Sequence, residues 1–178
     1  MQQWSNKMQI KKLNSRAIVP SKQVGNAGFD LAVQVPDICE TTLDATTGKN
    51  SFKLFPNERK TFGTGLAIYL EDTKLVGLIA SRSKLGTQKG IVVTQGFGTL
   101  DSNYQGELMI SLHNLSDEPF VIEDGMLVAQ LIVCKMPMVT HFTEVEAFTE
   151  GTERESTGIN CEDLRVMIEP AYEEGDMV

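Results

Sequence analysis

Apolar residues recur at every second position over several short stretches of this 178-residue chain. Leu108, Ile110 and Leu112 alternate with Met109, Ser111 and His113, the period-two signature of a strand with one buried face. Weaker alternations at Met8/Ile10 and Ala17/Val19 stop at Pro20, which predicts an edge strand leading into a loop over residues 21–26. Residues 27–33 predict a strand entered through Gly28, and residues 52–55, 60–70, 90–93, 120–122 and 127–133 predict others. The nearly continuous apolar run at 75–80 has strand length and reads as a central strand buried on both faces. Turn signals separate these segments at Pro56-Asn57, Gly96, Gly98, Gly106 and Asp124-Gly125. The one predicted helix, residues 83–89, makes about two turns. Many short strands with turns between them predict an all-β fold, a jelly-roll sandwich or barrel, and no solenoid-length repeat is visible.

Polar composition marks two departures from this rhythm. Residues 36–51 are rich in Thr, Gly and Asp and predict a long loop or an extended hairpin tip. The tail turns acidic and loses the alternation, so the expected organisation is one β domain over residues 1–148, with an insertion at 36–51, and an acidic tail over 149–178. A net charge of -8 argues against nucleic-acid partners while permitting a local anion site. Cys39, Cys134 and Cys161 share no metal-ligand spacing, and Cys134 reads as a small buried hydrophobe in an apolar run. No apolar run is long enough to span a membrane, and a reducing, cytoplasmic setting is expected.

Chemistry concentrates in four places. Asp101 stands beside Ser102, Asn103 and Gly106 in a turn-rich segment that opens into the 108–112 strand, which predicts a β-hairpin with Asp101, Tyr104 and Gly106 at its mouth. There a carboxylate, an aromatic face and a close backbone approach could meet one small ligand, or Asp101 could simply cap the turn. Ser81-Arg82-Ser83-Lys84, with Lys89 close behind, gathers hydroxyls and cations that suit phosphate oxygens. The same segment could equally be an exposed basic turn whose Arg82 pairs with Asp30, a carboxylate placed where it needs a partner. Gln130 is the single polar side chain in its strand and must satisfy both ends of its amide, from backbone or from a ligand. His113 and His141 have no metal-spaced companions, and no Ser-His-Asp, Walker-type or dinucleotide signature is present.

The order of these segments resembles the homotrimeric dUTPase family, in a divergent phage, viral or bacterial form. Ala27-Gly28-Phe29-Asp30-Leu31 resembles its first motif, and Ser81-Arg82-Ser83 followed by Gly90-Ile91 its second. Residues 98–107 (GTLDSNYQGE) resemble the third and residues 125–130 the fourth. The resemblance implies a jelly-roll subunit, three active sites between the subunits of a trimer, and Mg²⁺-dependent hydrolysis of dUTP to dUMP and pyrophosphate. It further implies Asp101 as general base, Tyr104 against the deoxyribose, and the backbone from Gly106 to Met109 reading the uracil edge. Arg82, Ser83, Lys84 and Gln130 would hold phosphates, and Asp30 would pair with Arg82 or reach Mg²⁺ indirectly through water.

Several positions depart from that pattern. Gln95 stands where the family usually has asparagine on the pyrimidine-reading loop, Lys84 follows the Arg-Ser pair in place of glycine, and Leu127 replaces a basic residue. The fifth motif, a glycine-rich closing arm in the family, is degenerate here: residues 151–158 (GTERESTG) keep Ser156-Thr157-Gly158 and offer Arg154, but lack the aromatic and add Glu153 and Glu155. Carboxylates near a triphosphate repel it, so weaker or differently built closure is expected. A dCTP deaminase would need a glutamate at the position of Ser111. Open alternatives are a pyrophosphatase for another pyrimidine deoxynucleotide and a dUTPase-like regulator whose 36–51 insertion and tail bind a protein partner.

Overall fold

A computed structural model describes residues 8–37, 41–43, 48–137 and 141–146. The chain divides into two compact units, Met1–Met138 and Val139–Val178, and all the elements below belong to the first.

Among the described residues, eleven strands and one short helix follow one another: β1 (Gln9–Lys12), β2 (Phe29–Ala32), β3 (Thr41–Leu43), β4 (Asn50–Leu54), β5 (Arg59–Tyr69), β6 (Leu75–Ser81), α1 (Ser83–Lys89), β7 (Ile91–Val93), β8 (Phe97–Leu100), β9 (Glu107–Asn114), β10 (Phe120–Glu123) and β11 (Leu127–Lys135). They form three antiparallel sheets, ordered β1-β5-β9-β7, β2-β11-β6-β8 and β10-β4-β3. Each sheet turns its apolar alternation toward one core. Phe62, Leu108, Ile110 and Leu112 come from the first, Leu31, Ile79, Ala129 and Leu131 from the second, and Phe52, Leu54 and Ile122 from the third. The rings of Phe52 and Phe62 meet edge to face at 5.7 Å, joining the third sheet to the first. Burial of this alternating set is what converts a period-two sequence into stacked sheets.

Polar anchors fix the connections. Asn114 is fully buried at the end of β9; its amide donates to the carbonyls of Leu54 (3.0 Å) and Glu118 (2.8 Å) and its oxygen accepts from Ser116 N–H (2.9 Å) and Oγ (2.7 Å). Asp124 accepts from the Val35 N–H at 2.9 Å and pairs with Arg16 at 3.3 Å, tying the turn before β11 to the chain after β2. Gly65 (φ 68°) marks a bulge in β5, where its N–H donates to the Glu107 carboxylate at 2.8 Å. A side chain on Gly63 would occupy the space of that same carboxylate.

Several expectations change. Residues 98–114 are not a hairpin: β8 pairs with β6 in the second sheet, while β9 pairs with β5 and β7 in the first, so the segment around Asp101 crosses from one sheet to the other. Gly98 lies inside β8, buried against Ile79, and is no turn residue. β6 is central, yet Val76, Leu78 and Ala80 on its outer face are only half-buried, as is Cys134 beside them on β11. The alternation could not reveal this, because a composition suited to both faces does not say what covers the second. The 36–51 insertion supplies β3 and the first two residues of β4, which pair antiparallel from Thr41↔Phe52 to Leu43↔Asn50.

Candidate active site

The crossing from β8 to β9 forms a cleft of about 340 Å³ at the open edge between the first and second sheets. Asp101, Tyr104, Gln95 and Met109 line it together, over a floor that includes Ile79 and Leu108. Asp101 follows β8 directly and is exposed, and its carbonyl accepts the Tyr104 N–H at 3.1 Å to close the turn. The Tyr104 ring folds back so that its hydroxyl donates to the Glu107 carbonyl at 3.0 Å. Gly106 makes this possible: a Cβ there would lie 2.5 Å from the Tyr104 hydroxyl oxygen. Gly106 therefore acts on the cleft through space for the ring and does not itself line it.

Met109 contributes its backbone. β7 pairs with β9 only from Ile91↔Asn114 to Val93↔Leu112, and Thr94 N–H then donates to the Ser111 carbonyl at 3.0 Å. Main-chain groups alternate sides along a strand, so the N–H and C=O of Met109 point the same way as those of Ser111, toward the edge that β7 has left open. Gln95 hangs beside this edge on the turn closed by Gly96 N–H to the Val93 carbonyl at 3.0 Å. The Thr94 and Ser111 hydroxyls, 2.9 Å apart, clasp the base of that turn. Neither of those two hydroxyls, nor Glu107, which lines the cleft and braces Gly65, was singled out from sequence for the cleft; their signal is visible only in the pairing of β5, β7 and β9.

The cationic group sits elsewhere. Asp30, Gln130 and Ala80 are aligned across β2, β11 and β6, and Arg82 leaves β6 two residues later on the same face. Arg82 Nε pairs with Asp30 Oδ1 at 3.1 Å and its Nη1 donates to the Leu127 carbonyl at 2.9 Å. Both side chains keep about a third or more of their surface exposed (35% and 43%), so the pair orients Arg82 without sealing it away. Gln130 Nε2 donates to the Ser81 carbonyl at 3.4 Å, and its Oε1 rests against Gly28, where a Cβ would come within 2.9 Å. Ser83 opens α1 and is exposed, as is Lys84. Two depressions flank the Asp30–Arg82 pair: one of about 670 Å³ lined by Asp30, Gln130 and the loop before β2, the other of about 430 Å³ lined by Arg82 and Lys84.

One chain does not bring the two groups together. Leu100 is paired with Gly77 and Phe97 with Ala80, so Asp101 leaves the sheet beside Val76 while Arg82 leaves β6 at its opposite end. Six strand residues separate those levels, about 20 Å at the usual rise. Arg154, Ser156 and Thr157 lie outside the described residues. Among the described residues no group of three or more His, Cys, Asp or Glu is placed to hold a metal ion.

Three antiparallel sheets around one core, with β8 and β9 crossing between two of them, are consistent with the jelly-roll fold of dUTPases. The dUTPase family pattern matches residues 14–161, and the chain belongs to that family. The deoxyuridine 5'-triphosphate nucleotidohydrolase of Histophilus somni (strain 2336) is 40% identical over 136 residues, 76% of this chain and 80% of that protein. The enzyme of the same name from Pseudomonas aeruginosa (strain LESB58) is 40% identical over 128 residues, 71% of this chain and 75% of its own. Among solved structures, a point mutant of the Staphylococcus bacteriophage 80alpha dUTPase with dUpNHpp superposes with a TM-score of 0.71 at 22% identity, covering 87% of this chain and 97% of that one. A mutant dUTPase from phage phi11 of S. aureus, described for its coordination of a structural Mg(II) ion, superposes at 0.67 with 20% identity, covering 82% and 100%. Membership supports hydrolysis of a pyrimidine deoxynucleotide. Among the described residues no helix is long and apolar enough to cross a membrane.

Proposed function

We propose that the protein hydrolyses dUTP to dUMP and pyrophosphate, limiting uracil incorporation into DNA and supplying dUMP for thymidylate synthesis. The observation that carries this reading is the cleft in which Asp101, Tyr104 and the unpaired edge of β9 at Met109 converge. A pyrimidine edge presents alternating donors and acceptors, and a free strand edge offers the same alternation in return. The Tyr104 ring packs against the sugar and leaves no room for a 2'-hydroxyl. Asp101 takes the proton of a water molecule as the water oxygen attacks the α-phosphorus; the bond to the bridging oxygen breaks and pyrophosphate leaves. Arg82, Ser83, Lys84 and Gln130 grip the phosphate chain.

The separation of about 20 Å between Asp101 and Arg82 is too long for both to serve one phosphate chain from a single copy. In this reading the cleft of one copy meets the Arg82 corner of another, as in a homotrimer. The half-exposed apolar outer face of the second sheet, with Val76, Leu78, Ala80, Ile132 and Cys134, is a surface for that assembly.

Magnesium fits the donors present. Asp30 is one carboxylate in a polar depression with Gln130, which suits an ion bound through waters and phosphate oxygens rather than by a protein cage. When bound, Mg²⁺ would neutralise phosphate charge. Arg154, Ser156 and Thr157 are further contacts to the nucleotide in this reading.

Incubation of the full chain with Mg²⁺ and dUTP, dTTP, dCTP or UTP, following pyrophosphate, monophosphate and ammonia, tests it. Pyrophosphate release confined to dUTP is expected. Release from dCTP or dTTP at comparable rates would favour the broader pyrimidine reading that Gln95 leaves open, and no release from any nucleotide would leave protein binding as the function. Ammonia from dCTP is not expected, since Ser111 is held by Thr94 and offers no acid.

A further inference from the structure

The bulge in β5 faces the part of β9 that lines the cleft. The two strands pair at Gly63↔Met109 and again at Ala67↔Glu107, so Thr64, Gly65 and Leu66 stand against Leu108 alone. A bulge of this kind takes the ladder donor away from the lone partner, and a buried carbonyl left without a donor is unfavourable. Here a side chain replaces it. Thr64 Oγ1 donates to the Leu108 carbonyl at 2.8 Å and accepts the Leu66 N–H at 3.2 Å. Thr64 is only 1% exposed, with Phe62 and Leu66 buried on either side, and valine would fill the same space with no polar atom to satisfy.

The bulge is held in place from both sides. The Gly63 carbonyl accepts the Gln34 N–H and the Gly65 carbonyl accepts the Leu13 N–H, each at 2.8 Å, while the Gly65 N–H goes to the Glu107 carboxylate. Thr64 lies between these two anchored glycines, so its hydroxyl is a fixed point against which β9 is set. The bond reaches the cleft through one peptide group. A trans peptide is planar, and its C=O and the following N–H point in opposite directions. The Leu108 carbonyl points to Thr64, so the N–H on the same plane, that of Met109, points to the edge that β7 leaves open. Holding one end of the plane holds the other.

We propose that Thr64 is a positioning residue for base selection: its hydroxyl sets the direction of the Met109 N–H in the cleft without touching the substrate. This rests on the nucleotide reading above, in which the Met109 edge meets the pyrimidine. Uracil presents an N–H and a carbonyl where cytosine presents a bare nitrogen and an amino group. A backbone donor separates the two only while its direction is held.

Steady-state kinetics of the wild type, Thr64→Val and Thr64→Ser on dUTP and dCTP in Mg²⁺ are the test, with calorimetric affinity for the non-hydrolysable α,β-imido-dUTP alongside. Thr64→Val keeps the shape and removes the donor. It is expected to raise KM for dUTP about tenfold, weaken imido-dUTP to match, leave kcat within about threefold and lower the dUTP-to-dCTP ratio of kcat/KM about tenfold, the weight of one hydrogen bond. Thr64→Ser keeps the hydroxyl and recovers most of the loss. The ratio is taken within one preparation, so partial unfolding cancels from it. Should Thr64→Val not fold, Thr64→Cys, close in volume and with only a weak S–H donor, carries the same expectation. An unchanged ratio in a folded variant overturns the assignment, as does a serine variant no better than valine. A fall in kcat with KM and ratio kept also overturns it, since Thr64 would then support the fold alone. A wild type that hydrolyses neither nucleotide, or both alike, overturns the nucleotide reading itself.

Discussion

Replacing Gly106 by alanine is the sharpest test of how the cleft is built. The added Cβ would lie 2.5 Å from the Tyr104 hydroxyl oxygen and 2.7 Å from its Cζ, both well inside van der Waals contact. Gly106 has no positive φ, so its backbone accepts alanine and the ring must yield instead. Moving the ring breaks the 3.0 Å bond to the Glu107 carbonyl, a neutral hydrogen bond of about 1 kcal/mol, at a residue already 44% exposed. Stability should therefore fall by about 1 kcal/mol or less, a shift of roughly 3 °C in Tm for a domain of this size. Catalysis should fall more. An aromatic contact to the sugar worth roughly 1–2 kcal/mol corresponds to about a tenfold loss in kcat/KM for dUTP. Discrimination against UTP should drop with it, because the wall proposed to exclude the 2'-hydroxyl has moved. Steady-state kinetics on both nucleotides, with a thermal melt as control, measure all three quantities. A Gly106→Ala enzyme with kcat/KM within about twofold of wild type and undiminished rejection of UTP would refute the claim that Gly106 serves Tyr104.

Asp101→Asn keeps the shape of the cleft but removes the proposed base; kcat should fall about 10²- to 10⁴-fold while imido-dUTP affinity stays within a few-fold, and a variant with wild-type turnover would sink the assignment. Asp30→Asn removes the partner of a half-exposed Arg82, so stability should change by less than about 1 kcal/mol in urea unfolding while KM for dUTP rises as Arg82 loses its orientation. Asn114→Ala deletes four hydrogen bonds at a fully buried site; leaving several buried polar groups unpaired should lower stability by about 3 kcal/mol or more, read as a lower urea midpoint at unchanged slope. Wild-type unfolding of that variant would show that water replaces the amide.

Alternation of apolar and polar residues determined most of the strands, because the period-two pattern and the burial of one face are the same physical fact. Leu108, Ile110 and Leu112 are inward in sequence and inward in the core. α1 covers the predicted residues 83–89, and Gly90, expected to begin the next strand, instead ends the helix at φ 67°. Asp101, Tyr104, Arg82, Asp30 and Gln130 were legible as chemistry, and the pairing of Asp30 with Arg82 was one of the readings open from sequence that the structure selects. What the alternation does not encode is which strand pairs with which. Two strands joined by a short turn can close a hairpin or step to another sheet, and local residues are compatible with both. Only the tertiary pairing of β8 with β6 and of β9 with β5 and β7 made the Asp101 turn a crossing between sheets. The same pairing opened the edge at Met109, braced Glu107 against Gly65 and set Asp101 at the far end of β6 from Arg82. The sequence determined which groups the protein brings to its chemistry, and tertiary structure decided their distances, because distance depends on strand partners drawn from remote parts of the chain.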